Sequence, residues 1–115
     1  MIKRWTFDND MLFELVRNGR KRGMCCRYVN DKNMAYVGEI QEIYNGHGDT
    51  IMIQIVAVRK CRFCDIDEAW AQIEGEGDLS LTYWRDVHID FFTKHYHDFQ
   101  ETDLLELNEF KVLPR

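Results

Sequence analysis

A lysine with an arginine on each side in the sequence is the first candidate for a reactive group. The segment from residue 17 to residue 27 carries five cations and no acid, and Lys21 lies between Arg20 and Arg22. Neighbouring positive charges lower the pKa of an ammonium group, so Lys21 is a candidate base or nucleophile. The same cations are candidate donors of charge-assisted hydrogen bonds to phosphates. The alternative is a solvated basic strand edge that discourages aggregation.

Two glutamates, Glu74 and Glu76, flank Gly75 in a glycine-rich acidic turn. Near a lysine they are candidates for a general base or for an acceptor that holds a ribose hydroxyl. Alternatively, they only favour the N-terminus of the helix that follows, where negative charge is worth about 0.3–1 kcal/mol. Asp78 and Ser80 are interpreted as caps of that helix.

The four cysteines suggest three kinds of chemistry. Cys61 and Cys64 have the spacing of two zinc ligands, which is half of a site. The candidates for completing it are Cys25 or Cys26, His95 and His97. Adjacent strand residues point to opposite faces, so at most one of Cys25 and Cys26 can join. We expect buried thiols and no metal, with a thiolate of lowered pKa at Cys25 or Cys26 as a further possibility.

The overall charge excludes some classes of function. Fifteen basic and twenty acidic side chains give a net charge of −5, which argues against nucleic-acid binding through bulk charge. Charge is nevertheless uneven, because the basic cluster Arg59–Arg62 precedes six acids between residues 65 and 78. This asymmetry marks either a polarised surface or ordinary solvated faces. The longest apolar run, Ile55–Val58, is too short to span a bilayer, and no signal-peptide stretch follows the N-terminus, so we expect a cytoplasmic protein.

Local patterns in the first half of the chain predict a helix and three strands. A helix is predicted over 9–17, ended by Asn18-Gly19, and a strand over 20–29. A hairpin is predicted over 36–59, with Gly38 as a possible bulge and a turn at 45–49. In its second strand, 50–58, the side chains alternate between isoleucine and other residues, which predicts one fully buried and one partly buried face.

The second half predicts two helices and a closing strand. Asp65 to Glu68 has the form of a capping box that starts a short helix through Ile73. A longer helix runs from Ser80 to about His95, and a strand covers Leu104–Leu113. The order without regular β-α alternation predicts one α+β domain over residues 1–115, a small mixed sheet or β-barrel with two or three flanking helices.

The aromatic side chains of the longer helix are of two kinds, those expected in the core and those expected to contact a ligand. Trp84 and Phe91 fall on the apolar stripe and are expected in the core. His88 on the same stripe is expected to be a hydrogen-bonded packing residue. Tyr83 and Arg85 lie off the stripe and are candidates for the ligand side, where an aromatic ring can stack on a base.

Three segments together resemble the ASCH domain family, which has a PUA-like β-barrel. They are Asn18-Gly19-Arg20-Lys21, the run Ile73–Ser80 followed by Tyr83-Trp84-Arg85, and Val87–Phe92. The resemblance extends from about residue 10 to residue 112. It implies binding of RNA or nucleotide-like ligands in a cleft near the Gly19-Arg20-Lys21 turn.

The resemblance also implies possible activities. One branch of the family hydrolyses the acetyl amide of N4-acetylcytidine with a lysine, a threonine and a glutamate, and another is associated with RNA cleavage. Lys21 matches the lysine, and Glu76, or otherwise Glu74, matches the glutamate. The threonine is not matched, because Met24 occupies its position.

These observations lead to a ranked expectation. The first hypothesis is a module that binds RNA or a nucleoside, with no cofactor and no membrane contact. The expected catalytic residues are Lys21, Glu76 and Glu74, and the expected RNA or ligand contacts are Arg20, Arg22, Arg27, Arg59, Tyr83 and Arg85. The second is a hydrolase on the same scaffold, an N4-acetylcytidine amidohydrolase or a ribonuclease. The third is a protein-interaction domain that uses the acidic 65–78 surface.

Overall fold

A curled five-stranded sheet with three helices forms the protein, and the computed structural model describes residues 1–114. The strands are β1 (Lys3–Thr6), β2 (Gly23–Arg27), β3 (Ile40–Tyr44), β4 (Thr50–Arg62) and β5 (Leu104–Val112). The helices are α1 (Asp10–Arg17), α2 (Glu68–Glu74) and α3 (Leu81–His95). Short 3-10 turns lie at Asp31–Asn33 and Phe63–Asp65. The α+β prediction is confirmed.

The sheet is mixed, with strand order β1-β3-β4-β5-β2. β1 runs parallel to β3, and every other pair is antiparallel. The predicted hairpin is therefore confirmed as β3 and β4, although its first strand begins only at Ile40. β1 was not predicted, because four residues of mixed polarity carry no period that identifies a strand.

Two apolar clusters hold the layers together. One packs α2 and α3 on the sheet through Trp70, Trp84, Phe63, Phe92, Leu105 and Leu107. The other packs α1 on the sheet through Phe13, Val16, Ile43, Ile51, Ile53, Ile55 and Phe110. The alternation predicted for 50–58 is confirmed, because the odd-numbered isoleucines of β4 are buried while Met52, Gln54 and Val56 are not.

Two local predictions need correction. Gly38 lies in the loop before β3 at φ +94°, and the register shift in β4 lies between Ile55 and Ala57. Asp67, rather than Asp65, caps α2 and accepts a hydrogen bond from the Trp70 N–H. Asp65 is occupied in the preceding 3-10 turn, which the capping pattern could not reveal.

The apolar stripe of α3 is in fact two rows. Trp84, His88 and Phe92, spaced four residues apart, face the core, whereas Phe91 is 37% exposed. The prediction that Phe91 lies in the core is therefore wrong, because the buried row continues from His88 to Phe92, four residues on, rather than to Phe91. The described residues 1–114 contain no helix that is long and apolar enough to cross a membrane.

Candidate functional site

A cavity of about 340 Å³ opens between α1, the start of β2 and α3. Tyr83, Val87 and Phe91, four residues apart on α3, form one wall. Met11, Leu12 and Leu15 of α1 also line it, and the remaining lining residues are Thr6, Phe7, Asp8, Asn9, Lys21, Met24, Cys25, Glu74, Glu76, Gly77 and His88. The cavity therefore combines an apolar side with a small group of charged side chains at its end.

Lys21 reaches the cavity through the chain reversal after α1. Asn18 caps the helix, and Gly19 adopts φ +83°, the left-handed conformation that glycine tolerates. The Lys21 N–H donates to the Leu15 carbonyl at 2.9 Å, and the Arg22 N–H donates to the Ile73 carbonyl at 2.8 Å. The predicted strand over 20–29 is thus shorter, and Lys21 lies in the turn before β2.

The turn after α2 docks directly on this segment. Gly75 has φ +72°, and a Cβ atom there would lie 2.1 Å from the Arg20 carbonyl oxygen, so the backbones approach closely only because residue 75 is glycine. The Arg20 guanidinium donates to the Gly75 carbonyl at 3.0 Å and to the Gly77 carbonyl. Arg20 therefore fixes the turn that carries the glutamates, rather than presenting a free cation to a ligand.

Lys21 is almost completely enclosed. Its ammonium lies 3.1 Å from Glu74 Oε1 and 2.7 Å from Glu76 Oε2, and its side chain is 2% exposed. Burial opposes the charge, but the two carboxylates outweigh it and raise the pKa of Lys21. The expectation that neighbouring cations lower this pKa is wrong, since the nearest charges are acidic. Lys21 is therefore protonated at neutral pH.

Glu74 is the centre of this group. Its Oε2 accepts hydrogen bonds from the indole N–H groups of Trp70 and Trp84, both at 2.7 Å, while Oε1 faces Lys21 and His88. Burial alone would raise its pKa, but Lys21 and His88 reverse that effect and hold the pKa of Glu74 well below its usual range. The expectation that Glu74 lies in the turn is wrong, because it is the last residue of α2, where it is buried. Glu76 is the more accessible carboxylate, with a side chain 11% exposed.

His88 and Cys25 complete the charged end. His88 stacks on Trp84, its Nδ1 lies 2.8 Å from the Trp84 carbonyl oxygen, and its Nε2 lies 3.6 Å from Glu74 Oε1. The expectation of a hydrogen-bonded packing residue is confirmed, and His88 also lines the cavity. Burial and the Glu74 carboxylate raise the pKa of the Cys25 thiol, so the expected thiolate of lowered pKa is wrong.

The neighbouring thiol of Cys26 differs from Cys25 in position. Cys26 is exposed on the opposite side of β2, as the strand alternation predicts. Partial desolvation of the sulfur atom and the nearby Glu106 carboxylate raise the pKa of Cys26 to about 11. Neither cysteine therefore supplies a reactive thiolate in the basic setting that the sequence suggests.

The other predicted arginines lie away from the cavity. Arg27 pairs with Asp98 at 2.9 Å and Asp103 at 3.2 Å, and Arg59 lies over the Trp70 ring. Arg85 donates to the carbonyls of Cys64 and Ile66, while Arg22 is exposed. Among residues 1–114, none of these four lines the cavity. By contrast, Tyr83 lines it, and its ring covers Gly77, where a Cβ atom would lie 2.5 Å from the ring.

The alternative in which Cys61 and Cys64 ligate zinc finds no further ligand beside them among residues 1–114. Cys61 is partly buried beside the α2–α3 cluster. Cys64, like Cys26, is exposed, so the expectation of buried thiols is wrong for these two. Within the described part of the chain, the one cluster of metal-ligating side chains joins Cys25, Glu74 and His88 instead. Long-range folding brings these three together, so no local spacing in the sequence signals them.

Sequence and structure comparisons agree on the relatives of this chain. The family model described as "ASCH domain" matches residues 3–114. An ASCH domain from Lactobacillus crispatus JV V101 is similar in structure with a TM-score of 0.85 and 32% identity, over 96% of this chain and 79% of that one. A protein from Enterococcus faecalis V583 is similar with a TM-score of 0.81 and 26% identity, over 98% and 80% of the two chains.

A more distant structure shares the fold alone. A Pyrococcus furiosus protein is 16% identical, with a TM-score of 0.59 over the full length of both chains. A comparison with curated protein sequences gave no match.

Proposed function

The chain belongs to the ASCH domain family, and we propose that its cavity binds one nucleoside-type ligand. The observation that carries this proposal is the buried lysine between two glutamates at the end of a cavity of about 340 Å³. Cavities of this size bind small molecules, and a few convergent polar groups then fix the orientation of the ligand. Tyr83 and Phe91 offer aromatic faces on which a base can stack.

The charge of the cavity favours a ligand without phosphate. Lys21 is already paired with both Glu74 and Glu76, so these three side chains sum to one negative charge. A phosphate would face the partly accessible Glu76 carboxylate and would be repelled. An amide, amino or hydroxyl donor on the ligand would instead donate a hydrogen bond to Glu76.

Binding of an RNA chain has weaker support. Arg27 and Lys60, one cation from each of the two basic segments of the sequence, already pair with Asp98 and Asp31 of the chain itself. Phosphates would have to compete with these carboxylates. We therefore place a single nucleoside ahead of the RNA strand within the sequence-based hypothesis.

Isothermal titration with cytidine, N4-acetylcytidine and a single-stranded RNA oligonucleotide tests this proposal. We expect a nucleoside to bind with little dependence on salt, and Tyr83→Ala to weaken it at least about tenfold through lost stacking. Tyr36→Ala is the matched control, because Tyr36 is exposed and does not line the cavity. Equal effects of the two variants would contradict the proposal. Binding of RNA alone, with a log–log salt slope of about −0.7 per phosphate, would favour strand binding.

A second candidate function is weak amide hydrolysis at the same site. The charged Lys21 can stabilise an oxyanion, and Glu76 can take a proton from a water molecule as its oxygen attacks the amide carbon. That proton then passes to the leaving amine as the C–N bond breaks. Met24, which lines the cavity, has no hydroxyl to act as a nucleophile. General base catalysis alone typically contributes only about 10²–10⁴-fold.

Mass spectrometry of N4-acetylcytidine incubated with the protein tests this second function. We expect slow or no hydrolysis by the wild type and faster hydrolysis by Met24→Thr. Met11→Thr is the matched control, since it adds the same hydroxyl elsewhere on the cavity wall. Efficient wild-type hydrolysis that survives in both Lys21→Ala and Glu76→Ala would rule out the assigned residues.

A further inference from the structure

We propose that the charged end of the cavity is also a binding site for a divalent transition metal, with zinc as the best match. Its ligands are Cys25 Sγ, a Glu74 carboxylate oxygen and His88 Nε2. The fourth coordination position faces the cavity. This inference goes beyond nucleoside binding, because it concerns a different class of ligand.

The three donors have the composition and the spacing of a zinc site. Thiolate, imidazole and carboxylate are the usual protein ligands of zinc, and a site with three of them leaves one position open. Cys25 is a thiol in the metal-free protein, and its proton passes to solvent as the sulfur–metal bond forms. The three ligand atoms all lie within 4.8 Å of one another. Bonds of about 2.0–2.3 Å in a tetrahedral site place ligand atoms roughly 3.5 Å apart, so small side-chain movements suffice. All three residues line the same cavity, which supplies the route of entry.

The surroundings already orient two of the ligands. The Trp84 carbonyl lies 2.8 Å from His88 Nδ1, so Nδ1–H donates to it. His88 Nε2 faces Glu74 Oε1 at 3.6 Å and loses its proton to solvent when the metal binds. The indoles of Trp70 and Trp84 hold Glu74 Oε2, so Oε1 is the oxygen that turns to the metal. A hydrogen bond from the second imidazole nitrogen to a carbonyl is the usual support of a metal-ligating histidine.

Lys21 determines which ions can enter. Its ammonium lies 3.1 Å from Glu74 Oε1, so an incoming cation must replace it there. Glu76, at 2.7 Å, remains as the partner that keeps Lys21 paired after the exchange. Magnesium prefers oxygen ligands and gains nothing from Cys25, whereas zinc gains a thiolate bond. We therefore expect selectivity for zinc and cobalt over magnesium.

Cobalt(II) binding to metal-free protein tests the proposal, because a thiolate–cobalt bond adds a strong near-ultraviolet absorption band. After dialysis against EDTA, we expect the wild type to show this band and added zinc to displace it. Cys25→Ser should lose the band and weaken cobalt binding at least about tenfold. Cys26→Ser is the matched control, since its thiol is exposed on the other face of the same strand, and it should retain the band.

Several outcomes would overturn the site. They are the absence of cobalt binding by the wild type, a band that survives in Cys25→Ser, and a band that is lost in Cys61→Ser. Because Glu74→Gln removes a buried charge and threatens the fold, His88→Gln, with folding checked by circular dichroism, is the second ligand variant. It should weaken cobalt binding while it remains folded. Nucleoside binding is measured separately in EDTA, so failure of either proposal is recognised independently.

Discussion

Two lysines of this protein make ion pairs of equal length in very different surroundings. Lys21 lies 3.1 Å from Glu74, and both side chains are 2% exposed. Lys60 lies 3.1 Å from Asp31, with side chains that are 42% and 77% exposed. Water screens the second pair and solvates either partner alone, whereas the first pair has only the protein to compensate its charges. Burial, rather than the distance between the charges, therefore determines how much stability is lost when one partner of the pair is removed.

Replacement of each lysine in turn is expected to have the largest effect. We expect Lys21→Met to lower the free energy of unfolding by about 3 kcal/mol, because it leaves Glu74 buried with one fewer positive partner. Lys60→Met is the matched control and should leave the stability close to that of the wild type. Urea denaturation measures both. If the two variants proved equally stable, burial would not be the deciding difference.

Two tryptophans differ in the charge of the group that accepts the hydrogen bond from their indole N–H. Trp84 donates to the buried Glu74 carboxylate, whereas Trp5 donates to the neutral amide oxygen of Gln41. A hydrogen bond to a charged group contributes more to the free energy of unfolding than one to a neutral group. We therefore expect Trp84→Phe to lower the free energy of unfolding by about 2 kcal/mol and Trp5→Phe to lower it by about 1 kcal/mol. Thermal and urea unfolding give these values. A larger loss in Trp5→Phe would contradict the role assigned to Glu74.

The smallest expected effect lies at the exposed pair and depends on pH. The hydrogen bond from Tyr28, with Lys60, lowers the pKa of Asp31 in the folded protein. A lowered pKa adds stability that is present above the ordinary value of 3.8 and is lost as the pH falls through the folded pKa. Asp31→Asn should therefore be slightly less stable than the wild type at about pH 6 and equal to it at about pH 2. A difference that grew in acid would reverse the assigned sign.

Much of the fold could be predicted because its signals are local. The helix caps at Asn9 and Ser80 and the turn between β3 and β4 lie within a few residues of the structure that they set. β1 could not be predicted, because its pairing with β3 joins segments that are far apart in the sequence. The choice of Phe92 over Phe91 as the buried ring at the end of α3 is likewise decided by packing.

The sequence predicted several residues of the candidate site but not their electrostatic surroundings. Lys21, Glu74, Glu76 and Tyr83 do line one cavity. Their electrostatics could not be predicted, because a run of cations hides the fact that Lys21 turns away from its neighbours towards two acids. Arg20 and Arg85 bind backbone carbonyls of their own chain, and no charge count distinguishes such an arginine from one that awaits a ligand.

Lys21 and Glu74 are far apart along the sequence, which affects how the chain folds. The two residues are 53 positions apart, so their contact requires the closure of a large loop. Contacts of this kind carry an entropic cost and slow the folding of sheets. The cavity therefore exists only once the segment of Lys21 has met the end of α2. A ligand that binds only this cavity stabilises the native state against the unfolded chain, in which the two segments are apart.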